Sequence, residues 1–413
     1  MRPASRAAVA ALAALSLSAA CLLAWCAGAD AAAPKTLLVE AGKTARANAP
    51  MCVPLPEAAR AARMTDAGNE VPCQVADGKL WFILDGLAAG AAKTYAVQLG
   101  AEPAARKAVD LKEAKDTVEI AVEGKPLATY HFGNPQIGAV QTRRPYFYPV
   151  FGPDQTPMMR TYPVDANVPE GASKDHPHHT SIWSAYGAVS GVENWMNGDK
   201  AGWQLHKSFE AVTSGPVFGG FRETLDWTTP EKKPNMAEVR TVRIYRTPPA
   251  IRIMDLEFAF QARYGPVEFG DTKEGGTIST RMRDELRADK NGKQGRLVNA
   301  QGLSAEAAWG KRSEWVDASG LVGEKRIGYA VFDNPANLRH PTWWHARTYG
   351  LLCANPFGQS SFEKGAPKGN YTLEAGKELV LRYRIYFHAG DEKESAVAAR
   401  YADYADPPRA TWK

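Results

Sequence analysis

Glu238-Val239-Arg240-Thr241-Val242-Arg243-Ile244-Tyr245-Arg246-Thr247-Pro248-Pro249-Ala250-Ile251-Arg252-Ile253-Met254-Asp255-Leu256-Glu257-Phe258-Ala259-Phe260 reads as two strands and the turn between them. On the way out Val239, Thr241, Arg243 and Tyr245 share one face, and Val242 and Ile244 share the other. Thr247-Pro248-Pro249-Ala250 turns the chain, because proline fixes φ and cannot donate to a ladder. On the return Met254, Leu256, Phe258 and Phe260 share a face. A period of two belongs to an extended strand with one buried side, and two such strands joined by a short turn pair antiparallel. Residues 378–388 repeat the pattern, with Leu379, Leu381, Tyr383, Ile385 and Phe387 opposed to Arg382, Arg384 and His388.

Working outward, helical periodicity is scarce. Short alternating runs separated by Gly, Pro, Asn and Asp dominate, which is the signature of a sandwich or barrel. Five runs near the start, Thr36–Glu40, Met51–Leu55, Val71–Val75, Leu80–Leu84 and Thr94–Leu99, read as a small β-sandwich module over 34–103. A charged, alanine-containing stretch at 101–115 reads as a linker. The larger domain covers 115–405, with its strands beginning near Thr117. Glu392–Tyr404 is alanine-rich with Val397, Tyr401 and Tyr404 at helical spacing, so one terminal helix is expected. The predicted class is all-β: a large antiparallel sandwich with a small N-terminal β module and a short C-terminal helix.

The first residues read as an export signal. Arg2 and Arg6 precede an apolar run from Ala7 to Ala27, and Ala27-Gly28-Ala29 fits a cleavage site, so residues 1–29 are expected to be removed. Ser18-Ala19-Ala20-Cys21 offers the alternative of an imperfect lipobox with a lipidated Cys21. The run is long enough to span a membrane, but its position and alanine content favour export, and no later segment is long and apolar enough. Residues 1–29 carry Arg2 and Arg6 and no acid, so 48 of the 50 basic and all 45 acidic side chains remain, a net charge of +3. So mild a balance does not point to nucleic acid or another polyanion. Cys52, Cys73 and Cys353 follow the leader. An exported protein permits a disulfide, and Cys52–Cys73 is the plausible pair; Cys353 sits in an apolar run and reads as a core thiol. No CxxC pair supports a zinc-thiolate site.

Asp175-His176-Pro177-His178-His179-Thr180-Ser181-Ile182-Trp183 packs three of the eight histidines into four positions. Histidine titrates nearest neutrality and is the commonest metal ligand. Pro177 pushes His176 toward an extended backbone, which would put His176 and His178 on one face and His179 on the other; a turn would gather all three. Asp271-Thr272-Lys273-Glu274-Gly275-Gly276-Thr277 is a glycine turn carrying an acid, with Arg281 beyond it. Trp343-Trp344-His345-Ala346-Arg347 reads as a strand with Trp343, His345 and Arg347 on one face, and Asn355 follows at the same parity. Arg144-Pro145-Tyr146-Phe147-Tyr148 precedes the histidines, and Gly191-Val192-Glu193-Asn194-Trp195-Met196 follows them. Indoles beside hydrogen-bonding side chains suit the alternating apolar and hydroxyl faces of a sugar ring.

Together these runs resemble the PmoA-like family. The resemblance is carried by His176-Pro177-His178-His179-Thr180-Ser181-Ile182-Trp183, Gly187-Ala188-Val189-Ser190-Gly191-Val192-Glu193-Asn194-Trp195, Asp271-Thr272-Lys273-Glu274-Gly275, Trp309-Gly310-Lys311, Trp315-Val316-Asp317, Asn334-Pro335-Ala336-Asn337, Trp344-His345-Ala346-Arg347 and Asn355-Pro356-Phe357-Gly358, in order from about residue 125 to 390. Relatives often carry His-His-Arg-Gly-Leu where this chain has His-His-Thr-Ser-Ile. The family's name comes from a membrane methane monooxygenase subunit and is a poor guide to this chain. The resemblance implies a galactose-mutarotase-like β-sandwich, exported or cytoplasmic, frequent near genes of sugar catabolism.

Three functions fit. One is acid–base chemistry on a sugar or glycoside (mutarotation, epimerisation or β-elimination), with His178, His179, Glu274 and His345 catalytic and His176, Arg144, Trp183, Glu193, Trp195, Arg281, Arg347 and Asn355 binding the substrate. A second is a divalent metal held by His176, His178 or His179 with His345 and an acid. The third is a non-catalytic sugar-binding module. In each the partner is a small molecule or oligosaccharide.

Overall fold

The computed structural model describes residues 33–103, 106–292 and 294–413. The expected leader and the Cys21 lipobox lie outside the described residues. The predicted hairpin is present as Pro234–Tyr245 paired antiparallel with Ile251–Gln261, in the register Val242↔Leu256 and Ile244↔Met254. Glu378–Ala389 pairs with the second of these strands, so Met254, Leu256 and Phe258 lie opposite Ile385, Tyr383 and Leu381. These strands form the middle of an eight-stranded sheet that also contains Trp203–Thr213, Phe218–Thr228, Lys325–Asp333, Trp315–Val322 and Arg296–Asn299.

A second eight-stranded sheet faces the first. Its order is Trp343–Arg347, Leu351–Asn355, Gly275–Arg281, Ile182–Tyr186, Tyr146–Val150, Lys125–His131, Thr117–Val122 and Val109–Glu113, with every neighbour antiparallel. The core lies between the two sheets. Val242, Leu256, Phe258, Leu381 and Ile385 meet Tyr130, Ile182, Ile278, Trp344 and Leu352 there. Because each strand sends alternate residues inward, the residues beside these point away from the core, and that outward face of the second sheet is where the histidines lie.

The small module has its own core, built from Leu37, Met51, Met64, Cys73, Phe82 and Tyr95. It consists of a five-stranded and a three-stranded sheet. It includes a strand absent from the sequence reading, Ala62–Asp66, and another from the far end of the chain, Arg409–Trp412, which pairs with Lys35–Glu40. The expected Cys52–Cys73 disulfide is absent: both thiols are free, Cys52 exposed and Cys73 buried. The strand Lys79–Leu87 lies between theirs, with Cys52 opposite Trp81 and Cys73 opposite Phe82. Adjacent residues of a strand face opposite sides of the sheet, so the thiols point away from each other. The terminal helix is shorter than expected, Val397–Ala405. Asp391 accepts from the Lys393 and Glu394 amides, and Ala396 sits at φ +53°, so the preceding residues form turns.

Candidate functional site

The outward face of the second sheet is set by two strands and a bulge. Trp343–Arg347 pairs with Leu351–Asn355 so that His345 lies opposite Cys353 and Arg347 opposite Leu351. Trp344 and Ala346 enter the core, which sends Trp343, His345 and Arg347 the other way. In the neighbouring pair Trp183 lies opposite Ser279, but Ala185 lies opposite Gly276, so Gly275–Arg281 carries an extra residue. This bulge lets Thr277 and Thr280 both reach inward, to the Tyr383 and Tyr329 hydroxyls at 2.6 and 2.7 Å. Bulges re-aim side chains in this way, and here Arg281 is left on the outward face.

Over that face lies the histidine turn. The His179 amide donates to the His176 carbonyl at 3.0 Å, and His176 and Ser181 have φ of +48° and +74°. The turn therefore prevails over the extended form, and the three rings gather. His176 stacks on His179 with centroids 4.7 Å apart, and His178 meets His179 edge-on at 4.4 Å. Left-handed backbone at non-glycine residues costs of order 1–3 kcal/mol each and persists only where the surroundings impose it. Here they do: Arg281, fully buried, donates to Asp175 Oδ1 at 2.7 Å and to His179 Nδ1 at 3.3 Å. Asp175 also pairs with Arg160 and lies 3.2 Å from His176 Nδ1.

The remaining predicted residues separate by role. Trp183 and Trp195 are buried under the histidines, 5.6 Å from each other, with His178 5.7 Å from Trp195. Arg144 does not reach the surface; it donates to the carbonyls of Trp195 and Met196 and to Asn197 Oδ1, and so braces the loop that carries Trp195. Glu193 accepts from the amides of Trp195 and Met196, closing the same loop. Asn355 donates to the Thr272 carbonyl and accepts from the Phe357 and Gly358 amides. These three were expected to bind substrate; bonds within the fold instead take the polar groups of Arg144 and Asn355 and one carboxylate oxygen of Glu193.

His345 and Glu274 stand together on the other side of Tyr349. Glu274 pairs with Lys273, and its side chain is 42% exposed. The backbones of its strand and of the Trp195 loop touch: the Gly187 amide donates to the Glu274 carbonyl at 2.8 Å. A Cβ on Gly187 would fall 2.6 Å from that oxygen, so only glycine allows the approach. Tyr349 links the two halves. His176 stacks on its ring at 5.0 Å, and the guanidiniums of Arg281 and Arg347 lie 4.7 and 5.5 Å from its centroid. Arg347 also lies over Trp309, whose ring is 6.5 Å from His345. Tyr349 and Arg160 were missed from the sequence. Tyr349 continues the parity of His345 and Arg347 and could have been read; nothing local marks Arg160.

Burial decides the protonation of the imidazoles. His178 is lowered to about 3, first by burial and then by the Arg144 charge. His179 is lowered well below its usual range by burial, with His178 and Arg281 adding to it. Burial also lowers His345, against the opposing pull of the Glu274 carboxylate. Asp175 moves down in spite of burial, because Arg281 and Arg160 flank it. The imidazoles of His178, His179 and His345 are therefore neutral at pH 7.

Several buried donors have no partner among the described residues: the indole Nε1 of Trp183, Trp195 and Trp309, and Nδ1 of His345. Trp183 and Trp195 belong to the ring contacts under the histidines and Trp309 and His345 to a second pair, and the Arg347 guanidinium over Trp309 and Tyr349 joins the two. The metal reading requires converging nitrogens, and the rings instead stack face to face or edge to face. Among the described residues no group of three or more His, Cys, Asp and Glu side chains stands as a ligand set. A groove of about 400 Å³ lies elsewhere, where Val71 and Ile83 of the module meet Val217 and Arg246 of the sandwich.

The profile of a family of unknown function, DUF6807, matches residues 117–402. Two solved structures match along most of the chain. One is a glycosyl hydrolase family 38 protein from Enterococcus faecalis, at 9% identity and a TM-score of 0.40, covering 92% of this chain and 47% of its own. The other is an alpha-mannosidase from Enterococcus faecalis V583, at 9% identity and a TM-score of 0.38, covering 92% of this chain and 46% of its own. The chain thus spans about half the length of both. No curated protein matches it.

Proposed function

The chain belongs to the DUF6807 family, and we propose that it is an exported carbohydrate-active protein that moves a proton on a sugar or glycoside bound at the outward face of the second sheet. The observation that carries this reading is the set of unpartnered donors. Trp183, Trp195 and Trp309 Nε1 and His345 Nδ1 lie without partners along one aromatic patch. A buried donor left unmade costs about 1–3 kcal/mol, so several on one face mark a place where acceptors are meant to arrive. Sugar hydroxyls are such acceptors, and the C–H face of the ring suits the half-buried rings of Trp309 and Tyr349.

His345, neutral through burial, takes the proton, and Glu274 stabilises the imidazolium as it forms. Positioned proton transfer of this kind contributes roughly 10²–10⁴-fold and suits mutarotation, epimerisation or β-elimination. His178 and His179, only 6% and 1% exposed, hold the turn and its tryptophans in place. The likeness of the His176–Trp183 and Trp344–Arg347 motifs to PmoA-like proteins forms part of the same proposal.

The test is a panel of sugars and glycosides followed by NMR for anomer exchange, epimer formation and unsaturated products. Glu274→Gln and His345→Gln should each lower turnover at least about 10²-fold. For Glu274→Gln the melting temperature should hold, since that side chain stands at the rim. Binding without turnover of any sugar rejects the proton transfer and leaves a sugar-binding module. No binding at all rejects the site.

A further inference from the structure

Resting on that reading, we infer that the sugar carries a carboxylate, and that Arg347 receives it. The arginines of this region differ in one respect. Arg144 donates to backbone carbonyls, and Arg160 and Arg281 share the carboxylate of Asp175. Arg339 and Arg312 donate to carbonyls as well. The Arg347 guanidinium has no hydrogen bond and no ion pair among the described residues. It is held by its faces alone, over Trp309 at 5.9 Å and Tyr349 at 5.5 Å. Stacking orders a guanidinium but leaves its edge, with its fork of N–H donors, unused. That fork matches a carboxylate bidentately.

The other charged groups around it are already engaged. Arg160 and Arg281 share one carboxylate, Asp175, which lies between them. The other carboxylates on this side have partners too: Glu274 pairs with Lys273, Glu306 accepts from the Thr348 hydroxyl and Glu363 from the Trp343 indole. His345, whose Nδ1 is unpartnered, is two residues away on the same face, and the Trp309 ring, whose indole N–H is also unpartnered, lies beneath the guanidinium. A sugar ring laid on Trp309 and Tyr349 thus has neutral donors for its hydroxyls and one free cation for an anionic substituent. A uronic acid or uronide is a sugar class with a carboxylate beside a ring C–H. Neutralising that carboxylate also acidifies the ring proton beside it, which is the proton an imidazole base would remove.

Calorimetric titration of the purified protein with glucuronate and galacturonate, their methyl esters, glucose and galactose, and glucose 6-phosphate and 6-sulfate tests this. A uronate should bind at least about tenfold more tightly than its own methyl ester and than the neutral sugar. Arg347→Leu should abolish that preference while keeping the melting temperature, since the side chain is half-buried and bonds nothing, and Arg347→Lys should keep part of it. Equal affinity for acid and ester, or a preference that survives in Arg347→Leu, overturns the inference but leaves the sugar site standing. A phosphate or sulfate ester bound more tightly than the uronates overturns the carboxylate. Failure of every sugar, charged or neutral, removes the carbohydrate reading and this inference with it.

Discussion

His178, His179 and His345 stay neutral at pH 7 because burial removes solvation from an imidazolium and the neighbouring guanidiniums add repulsion. The consequence for stability has a fixed sign. Below an unfolded-state value of about 6.5 the unfolded chain takes up protons at these sites and the folded chain does not, so stability falls as pH drops from there. For His178 the fall runs down to about 3. Thermal melts between pH 7 and 4 should show this decline, and His178→Asn should flatten it; an unchanged slope would reject the buried neutral imidazole. Turnover should accordingly lose its dependence on pH just below neutrality, unlike that of an unperturbed histidine enzyme. Asp175 carries a second prediction. Asp175→Asn leaves the buried guanidiniums of Arg160 and Arg281 without a carboxylate; because Asp175 itself is half-exposed, the loss should be about 1–3 kcal/mol, to be read by urea denaturation.

Period-two patterning placed the strands Pro234–Tyr245, Ile251–Gln261, Glu378–Ala389 and Trp343–Arg347, because each buries one face and alternation is the direct trace of that. The same parity put His345 and Arg347 on one face. Three things were not legible. The bulge in Gly275–Arg281 is a long-range register shift, set by its neighbours as much as by itself. The turn at His176 runs against the extended preference before Pro177 and is imposed by Arg281 and Asp175, which are distant in sequence or lie outside the turn. Arg144, Glu193 and Asn355 look like ligand contacts in sequence, because a sequence shows the charge or amide but not the amides and carbonyls that occupy it. The touch between the Trp195 loop and the Glu274 strand gives a prediction at this scale. Gly187→Ala would drive a methyl into the Glu274 carbonyl, so about 1–3 kcal/mol of stability should go, with turnover falling further than in surface alanine controls. Unchanged denaturation and turnover would show that the two segments do not need to meet.

Each outward face of the sandwich has its own cover. The histidine turn and the Trp195 loop lie on the second sheet, whereas the small module and the helix Val397–Ala405 pack on the first, through Trp81, Phe218, Tyr245, Phe332, Tyr386 and Val397. Gln74 of the module also accepts from the Val217 and Phe218 amides of that sheet. The full thickness of two packed sheets, roughly 10 Å between them, therefore separates the module from the site. The module is a clamp on the chain as well, since Arg409–Trp412 returns to its sheet and Trp412 Nε1 donates to the Pro54 carbonyl at 2.8 Å. A module that stabilises without touching substrate should let stability and activity be separated. Trp412→Ala, which removes that bond and half-buried ring surface, should lower stability by about 1–3 kcal/mol. Sugar affinity and turnover measured well below the melting temperature should equal those of the unaltered protein. If affinity instead falls in step with stability, the module is coupled to the site through the sandwich, and its role is more than that of a cover for the first sheet.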